Sequence, residues 1–178
     1  MIRMKLLNNQ NKRIVLIGNG GHASVITEII HNFKLKISVV VDPISSSEKI
    51  KNCQYLKNDK SFISEFSNED FVIVNGLGFI PHKKINKRKE IFLKYKKNNF
   101  EFPIIVHPSS IISNSTIFSE GVQIMAGVVI QSNVKIGENT LINTGALIDH
   151  HTTIGKNCHI APGTNICGNV KIGNNVFI

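Results

Sequence analysis

Tryptophan is absent from this chain of 178 residues, tyrosine occurs twice, and Asp and Glu together number 12. No apolar run approaches the roughly 18 residues that a membrane-spanning helix needs. The N-terminus lacks the basic, apolar, small-residue order of a secretory signal, so a cytoplasmic protein without a membrane partner is expected. Cys53, Cys158 and Cys167 are odd in number and show no CxxC spacing, which excludes a disulfide framework and a zinc ribbon. They read as reduced thiols, with Cys158 at a repeat position otherwise filled by Val, Thr and Ala and therefore a small core residue. A hydrophobic content of 42% with 19% charged residues belongs to an ordinary globular protein that folds without staples.

The net charge of +9 is unevenly spread: residues 1–100 hold 18 Lys and Arg against 8 acids, and residues 101–178 hold 3 against 4. The densest basic part, HKKINKRKEIFLKYKKNNF from His82 to Phe100, spaces Ile85, Ile91, Phe92 and Tyr95 like one face of a helix. A nucleic-acid surface fits this composition, but a solvated helix face is the default and no nucleic-acid partner is expected. The same field suits a polyanionic small molecule.

The first half reads as strand, glycine turn, helix. Ile14–Ile17 is a short apolar run, Gly18-Asn19-Gly20-Gly21-His22 follows at once, and Ala23–Phe33 has helical spacing. Further strands are expected at Ile37–Val41, ending in Asp42, and at Phe71–Val74, ending in Asn75-Gly76-Leu77-Gly78, with Ile104–Val106 as an additional one. Strands alternating with helices predict a small, Rossmann-like parallel α/β domain over residues 1–104. Ligands of such sheets bind beyond the C-terminal strand ends, where the glycine turn, Asp42 and Gly76–Gly78 fall. The turn lacks the dinucleotide fingerprint GxGxxG, having Ala23 in place of the third glycine, so NAD is disfavoured. Its helix N-terminus still suits a phosphate. A purely structural turn is the alternative, and Pro43 beside Asp42 allows the same for that strand end.

The second half has a period of six. Stepping from Ile112 gives Phe118, Ile124, Ile130, Ile136, Ile142, Ile148, Ile154, Ile160, Ile166, Ile172 and Ile178, and four residues after each step stands a small or β-branched residue from Thr116 to Val176. A strict hexad suits a parallel β-helix with three flat faces: the aliphatic residue points inward, the small one fits beneath it, and Gly and Asn take the corners. Residues 105–178 are therefore expected as a left-handed parallel β-helix, whose open edges and long faces call for self-association.

The GNGGH turn, the lead-in VHPSSII and the string INTGALIDHHTTIGKNCHIAPG together resemble the bacterial sugar acetyltransferases. That group includes the nucleotide-amino-sugar N-acetyltransferases of the bacillosamine and perosamine type and the sialic acid O-acetyltransferases. The resemblance implies a homotrimer with sites between neighbouring β-helices, a nucleotide-sugar substrate for surface-glycan biosynthesis, and acetyl-CoA as co-substrate without a metal. It implies His150 as general base, Asn143 near the acceptor sugar, and His159 and Gly168 on acetyl-CoA. Gly20, Gly21 and His22 correspond to the substrate loop, and Asp42, Gly76 and Gly78 to the nucleotide pocket.

Such a transfer needs no covalent intermediate, because the thioester is already activated and the enzyme must orient the amine and take its proton. An imidazole, with an ordinary pKa of roughly 6.5, suits that task. His151 departs from the family pattern, which has an acidic residue there to raise the basicity of the preceding histidine; Asp149 or a neighbouring subunit is expected to compensate. A zinc site from His150, His151 and His159 is the alternative that their close spacing argues against. Because Ile178 opens a new hexad, a shortened, substrate-binding protein with impaired catalysis is a further alternative, as is sialic acid O-acetylation.

Overall fold

The structure, a computed structural model, describes residues 12–44, 50–79 and 87–178, in two compact units divided in sequence between Phe102 and Pro103. In the first, β1 (Arg13–Ile17) is buried at four of its five positions, as an aliphatic run covered on both faces must be. Helix α1 (Gly21–Asn32) buries Ala23, Ile26, Ile29 and Ile30, one apolar stripe at helical spacing. The unit continues with β2 (Ile37–Val41), β3 (Gln54–Leu56), α2 (Asp59–Glu65), β4 (Phe71–Asn75) and α3 (Lys87–Lys97).

All four strands are parallel, in the order β3-β2-β1-β4. The chain winds one way from β1 through β2 to β3 and lands on the other side with β4. The switch point, at which sheets of this kind bind their ligands, falls between the C-terminal ends of β1 and β4. Among the described residues no helix is long and apolar enough to cross a membrane.

Two elements went unanticipated. β3 has only three residues, and α2 is short, held at its start by Asn58, whose side chain accepts the Ser61 N–H at 2.8 Å. The reason for α2 is aromatic: Phe62 stacks on Phe66 at 4.9 Å and meets Phe71 edge-on at 5.6 Å. The basic helix α3 turns Arg88, Phe92 and Tyr95 inward, while Ile85 lies outside the described residues. Tyr95 Oη donates to Asp59 Oδ1 at 3.0 Å, and Lys94 Nζ meets Oδ2 at 2.8 Å. Burial first, then the Asp59 charge, pushes the Tyr95 phenol far up, so it stays a neutral donor.

The second unit is built from two-residue strands: β5 (Ile105–Val106), β6 (Ile111–Ile112), β7 (Ile117–Phe118), β8 (Gln123–Ile124), β9 (Val129–Ile130), β10 (Lys135–Ile136), β11 (Leu141–Ile142), β12 (Leu147–Ile148), β13 (Thr153–Ile154), β14 (His159–Ile160), β15 (Asn165–Ile166) and β16 (Lys171–Ile172). They form three parallel ladders, β5-β8-β11-β14, β6-β9-β12-β15 and β7-β10-β13-β16. Partners lie three hexads apart, as in Leu141↔His159 and Leu147↔Asn165, so three hexads close each coil of a parallel β-helix. The expected strand at Ile104–Val106 therefore does not join the α/β sheet. Its Ile105 and Val106 start the first ladder against Gln123 and Ile124, because Val106 sits in hexad register. The α/β sheet is extended instead by a single bridge from Val72 to Glu101.

The inward isoleucines from Ile124 to Ile166 are buried, with Val122, Val128, Val134, Ala146 and Cys158 between them, and Ile112, Phe118 and Ile172 pack partly buried against this core. Each fully buried aliphatic side chain contributes about 1.5–3 kcal/mol. From Gly121 onward every hexad also places one corner residue at positive φ: Gly121, Gly127, Asn133, Asn139, Gly145, His151, Asn157, Gly163, Asn169 and Asn175. Gly and Asn reach that region at least cost. His151, at φ 60°, is the exception.

Candidate active site

In the α/β unit three loops converge at the C-terminal strand ends. Gly18, at φ +93°, turns the chain from β1 towards α1, and the backbone N–H of Asn19 donates to Asp42 Oδ2 at 2.6 Å. The other oxygen of Asp42 accepts the Ile44 N–H at 2.7 Å. Asp42 is thus a clasp that ties the glycine turn to the end of β2, through a carboxylate facing two backbone amides.

The glycines of these loops divide into two kinds. A side chain at Gly76 would meet Ile17 O at 2.8 Å and Ala23 Cβ at 2.9 Å, so this position lets the β4 loop lie against β1 and α1. A side chain at Gly20 or Gly21 would meet nothing within 4 Å, and one at Gly78 only His22 Cβ at 3.6 Å. Those backbones are open to a ligand. Helix α1 starts there with no side-chain cap and no acid in its first turn, leaving its N-terminal amides for an anion.

Arg88, absent from the sequence reading, supports the same loops from below. Its Nη1 donates to Leu77 O at 3.0 Å and Asn75 O at 3.3 Å, and Asn75 Nδ2 donates back to Arg88 O at 2.9 Å. Burial lowers its pKa to about 9, so the guanidinium still carries its charge at pH 7.

In the β-helix the predicted residues fall in two groups. Asn143 stands at the corner after β11 and His159 opens β14 in the next coil of the same ladder, with Asn143 Nδ2 3.1 Å from His159 Nε2. The His159 ring is buried and packs edge-on against Phe177 at 4.8 Å. His150, His151 and Gly168 lie at the next corner, beyond β12. The β6-β9-β12-β15 face stands between the two groups, so one chain does not bring His150 together with Asn143 and His159. That face is apolar and open: Ile111 is 68% and Leu147 44% exposed. A groove of about 380 Å³ runs along it, lined by Val129, Gln131, Leu147, Asp149 and Cys167 among others.

The His150 corner is fastened to both neighbouring coils. His151 N donates to Ser132 O at 3.0 Å and Asn169 N to His150 O at 2.8 Å. The buried Thr152 hydroxyl donates to Cys167 O at 2.9 Å. Gly168, one coil further on, explains the ring's seat: a Cβ there would lie 2.7 Å from His150 Cε1. His150 Nδ1 stands 3.1 Å from His151 Nδ1, and His151 Nε2 stands 3.4 Å from Asn133 Nδ2. Asp149 Oδ1 accepts the His150 backbone N–H at 2.7 Å; the hydrogen bond it makes is to backbone, while the ring's partner is His151. Asn133 was not singled out from the sequence, although it lies three hexads before His151 and so in the same corner stack. Among the described residues, no three His, Cys, Asp or Glu side chains gather as metal ligands within the chain.

Comparison with known proteins places both units. Residues 13–106 match the family model described as the PglD N-terminal domain, and residues 115–150 and 151–178 match that of the bacterial transferase hexapeptide (six repeats). Among solved structures, a histidine-to-asparagine variant of perosamine N-acetyltransferase from Caulobacter crescentus, in complex with CoA and GDP-perosamine, is 27% identical with a TM-score of 0.81, covering 93% of this chain and 76% of that one. The acetyltransferase domain of PglB from Neisseria gonorrhoeae FA1090 is 21% identical with a TM-score of 0.75, over 94% and 91% of the two chains. WeeI from Acinetobacter baumannii AYE is 18% identical with a TM-score of 0.79, over 93% and 77%.

Proposed function

Because the chain belongs to the bacterial hexapeptide transferases that carry a PglD N-terminal domain, and is an acetyltransferase using acetyl-CoA, we propose that it acetylates the amino group of a nucleotide-linked amino sugar, with His150 as general base. The observation that carries this reading is the corner itself. An exposed imidazole is seated on a glycine, fastened to two coils, and oriented by a second ring 3.1 Å away, which is how a base is held for proton transfer. The similarity to a GDP-perosamine complex at 27% identity supports a nucleotide sugar as acceptor.

In the proposed reaction the neutral amine attacks the thioester carbonyl and the C–N bond forms while His150 Nε2 takes the amine proton. The C–S bond then breaks, the CoA thiolate takes up a proton, and the products are an N-acetyl sugar and free CoA. A positioned base supplies roughly 10²- to 10⁴-fold, and orientation of the two substrates supplies much of the rest. In this reading Asn143 contacts the acceptor sugar, while His159 and Gly168 border acetyl-CoA, Gly168 also seating the base. Gly20, Gly21, His22 and Gly78 take the nucleotide, Asp42 and Gly76 shaping that pocket.

We further infer a homotrimer. His150 on one side and the Asn143–His159 pair on the other flank one open apolar face, so a neighbouring copy laid on that face would complete the set.

The test is a thiol-release assay with acetyl-CoA and a panel of nucleotide amino sugars, run beside calorimetry. His150→Ala should remove most turnover, on the order of 10²-fold or more, and leave nucleotide-sugar affinity unchanged. Near-normal turnover would sink the assignment of the base. Turnover of free sialic acid and of no nucleotide amino sugar would overturn the acceptor.

A further inference from the structure

We propose that Asn133 is a positioning residue for acetyl transfer, which selects, through His151, the ring nitrogen of His150 that is left without a proton. The inference rests on the reading of His150 as the base.

Asn133, His151 and His150 form a chain at one corner of successive coils, with contacts of 3.4 Å and 3.1 Å and the two rings at 82° to each other. Its first two members are fixed through their backbone amides: Asn133 N donates to Ser115 Oγ at 2.8 Å, and His151 N to Ser132 O at 3.0 Å. A neutral imidazole has one donor and one acceptor nitrogen, so the chain has two self-consistent arrangements of hydrogens. With Asn133 Nδ2 towards His151, the amide donates to Nε2, His151 carries its proton on Nδ1 and donates to His150 Nδ1, and the His150 proton sits on Nε2. That form cannot accept a proton at Nε2.

A half-turn of the amide exchanges Nδ2 for Oδ1 and reverses every bond. His151 Nε2–H then donates to Oδ1, His151 Nδ1 accepts from His150 Nδ1–H, and His150 Nε2 is free to take the amine proton. An amide is suited to this role because it offers both faces; the usual acidic neighbour would offer only an acceptor.

The backbone argues independently that His151 is kept for its ring. The nine equivalent corners at positive φ hold only Gly or Asn, and an imidazole in that region costs free energy that Asn or Gly would avoid. The titratable groups carried by this corner and its stacked neighbours are His150, His151, Asp149 and Cys167. Asp149 Oδ1 accepts the His150 backbone N–H, and the adjoining Gln131, Ser132, Asn133, Gly168 and Asn169 are uncharged. A neutral acceptor is therefore what the pair of rings meets in place of a carboxylate, Asp149 being engaged by backbone.

Two substitutions that tolerate positive φ separate this role from a structural one. Asn133→Gly removes the amide and keeps the backbone; kcat should fall roughly 10- to 100-fold, as when an orienting partner of a functional histidine is lost, with both KM values within about twofold. Asn133→Asp fixes an acceptor and adds charge. It should keep most of kcat and move the acid limb of the kcat/KM profile up by about one pH unit. Equal losses in both variants without a profile shift would mean a structural role only and overturn the proposal. Unchanged kcat in both, with His150→Ala inactive, overturns it while leaving the base in place. An active His150→Ala overturns the base reading itself, whatever Asn133 does.

Discussion

Two glycines show how the same clash has opposite consequences. A methyl group at Gly168 would meet the His150 ring at 2.7–3.1 Å, whereas one at Gly76 would meet the backbone oxygen of Ile17 at 2.8 Å. The ring can swing out towards solvent; the carbonyl belongs to a central strand and cannot. With His150 as the proposed base, Gly168→Ala should therefore lower kcat by about tenfold or more by displacing that ring, with a melting temperature close to that of the parent. Gly76→Ala should cost about 1–3 kcal/mol of stability in the α/β unit through overpacking. Thermal melts and steady-state kinetics on the pair check both, and an unimpaired Gly168→Ala would show that the seat of His150 does not matter.

At the scale of the element, the hexad determines nearly everything in the β-helix, because each coil repeats one local solution and its register follows from counting. An inward isoleucine is held on two sides by its ladder neighbours, as Ile142 is by Ile124 and Ile160. Ile142→Ala should weaken the stack by about 2–5 kcal/mol. Cys158 reports it: its thiol is buried, pushed up by that burial, and donates to Gly173 O at 3.0 Å. It should resist alkylation in the parent and react faster in the variant, read by mass spectrometry at Cys158 itself.

His150 and Gly168 lie three hexads apart, so the period stacks them, although Gly168 entered the sequence analysis only through the family resemblance. The link from His151 to Asn133 was not legible, since it depends on which way two rings and an amide turn and no period encodes a rotamer. In the α/β unit the apolar runs of β1, β2 and β4 announced themselves. β3 and α2 did not, because three residues carry no periodicity and α2 is set by Phe62 packing on distant aromatic rings. Ile104–Val106 was assigned to the wrong sheet for a related reason: an aliphatic triplet reads equally as a buried strand or as the first coil of a ladder.

At the scale of the whole molecule, the separation of Asn143 and His159 from His150 by the β6-β9-β12-β15 face makes the proposed assembly testable without a structure of it. If each site takes His150 from one subunit and His159 from the next, His150→Ala and His159→Ala proteins should each be nearly inactive alone. Subunits unfolded and reassembled together should regain activity. In a closed ring of three, any mixed trimer has one junction that joins an intact His150 to an intact His159. Random mixing of equal amounts leaves three-quarters of the trimers mixed, so recovery should reach about one quarter of parent activity. Leu147→Glu, which places a charge on the open face, should prevent that recovery and convert the assembly to single chains, seen by light scattering. Activity that never rises above the sum of the two inactive variants would mean that His150 and His159 work within one chain or that His159 is not part of the site. Single chains of Leu147→Glu with full turnover would remove the need for a second copy altogether.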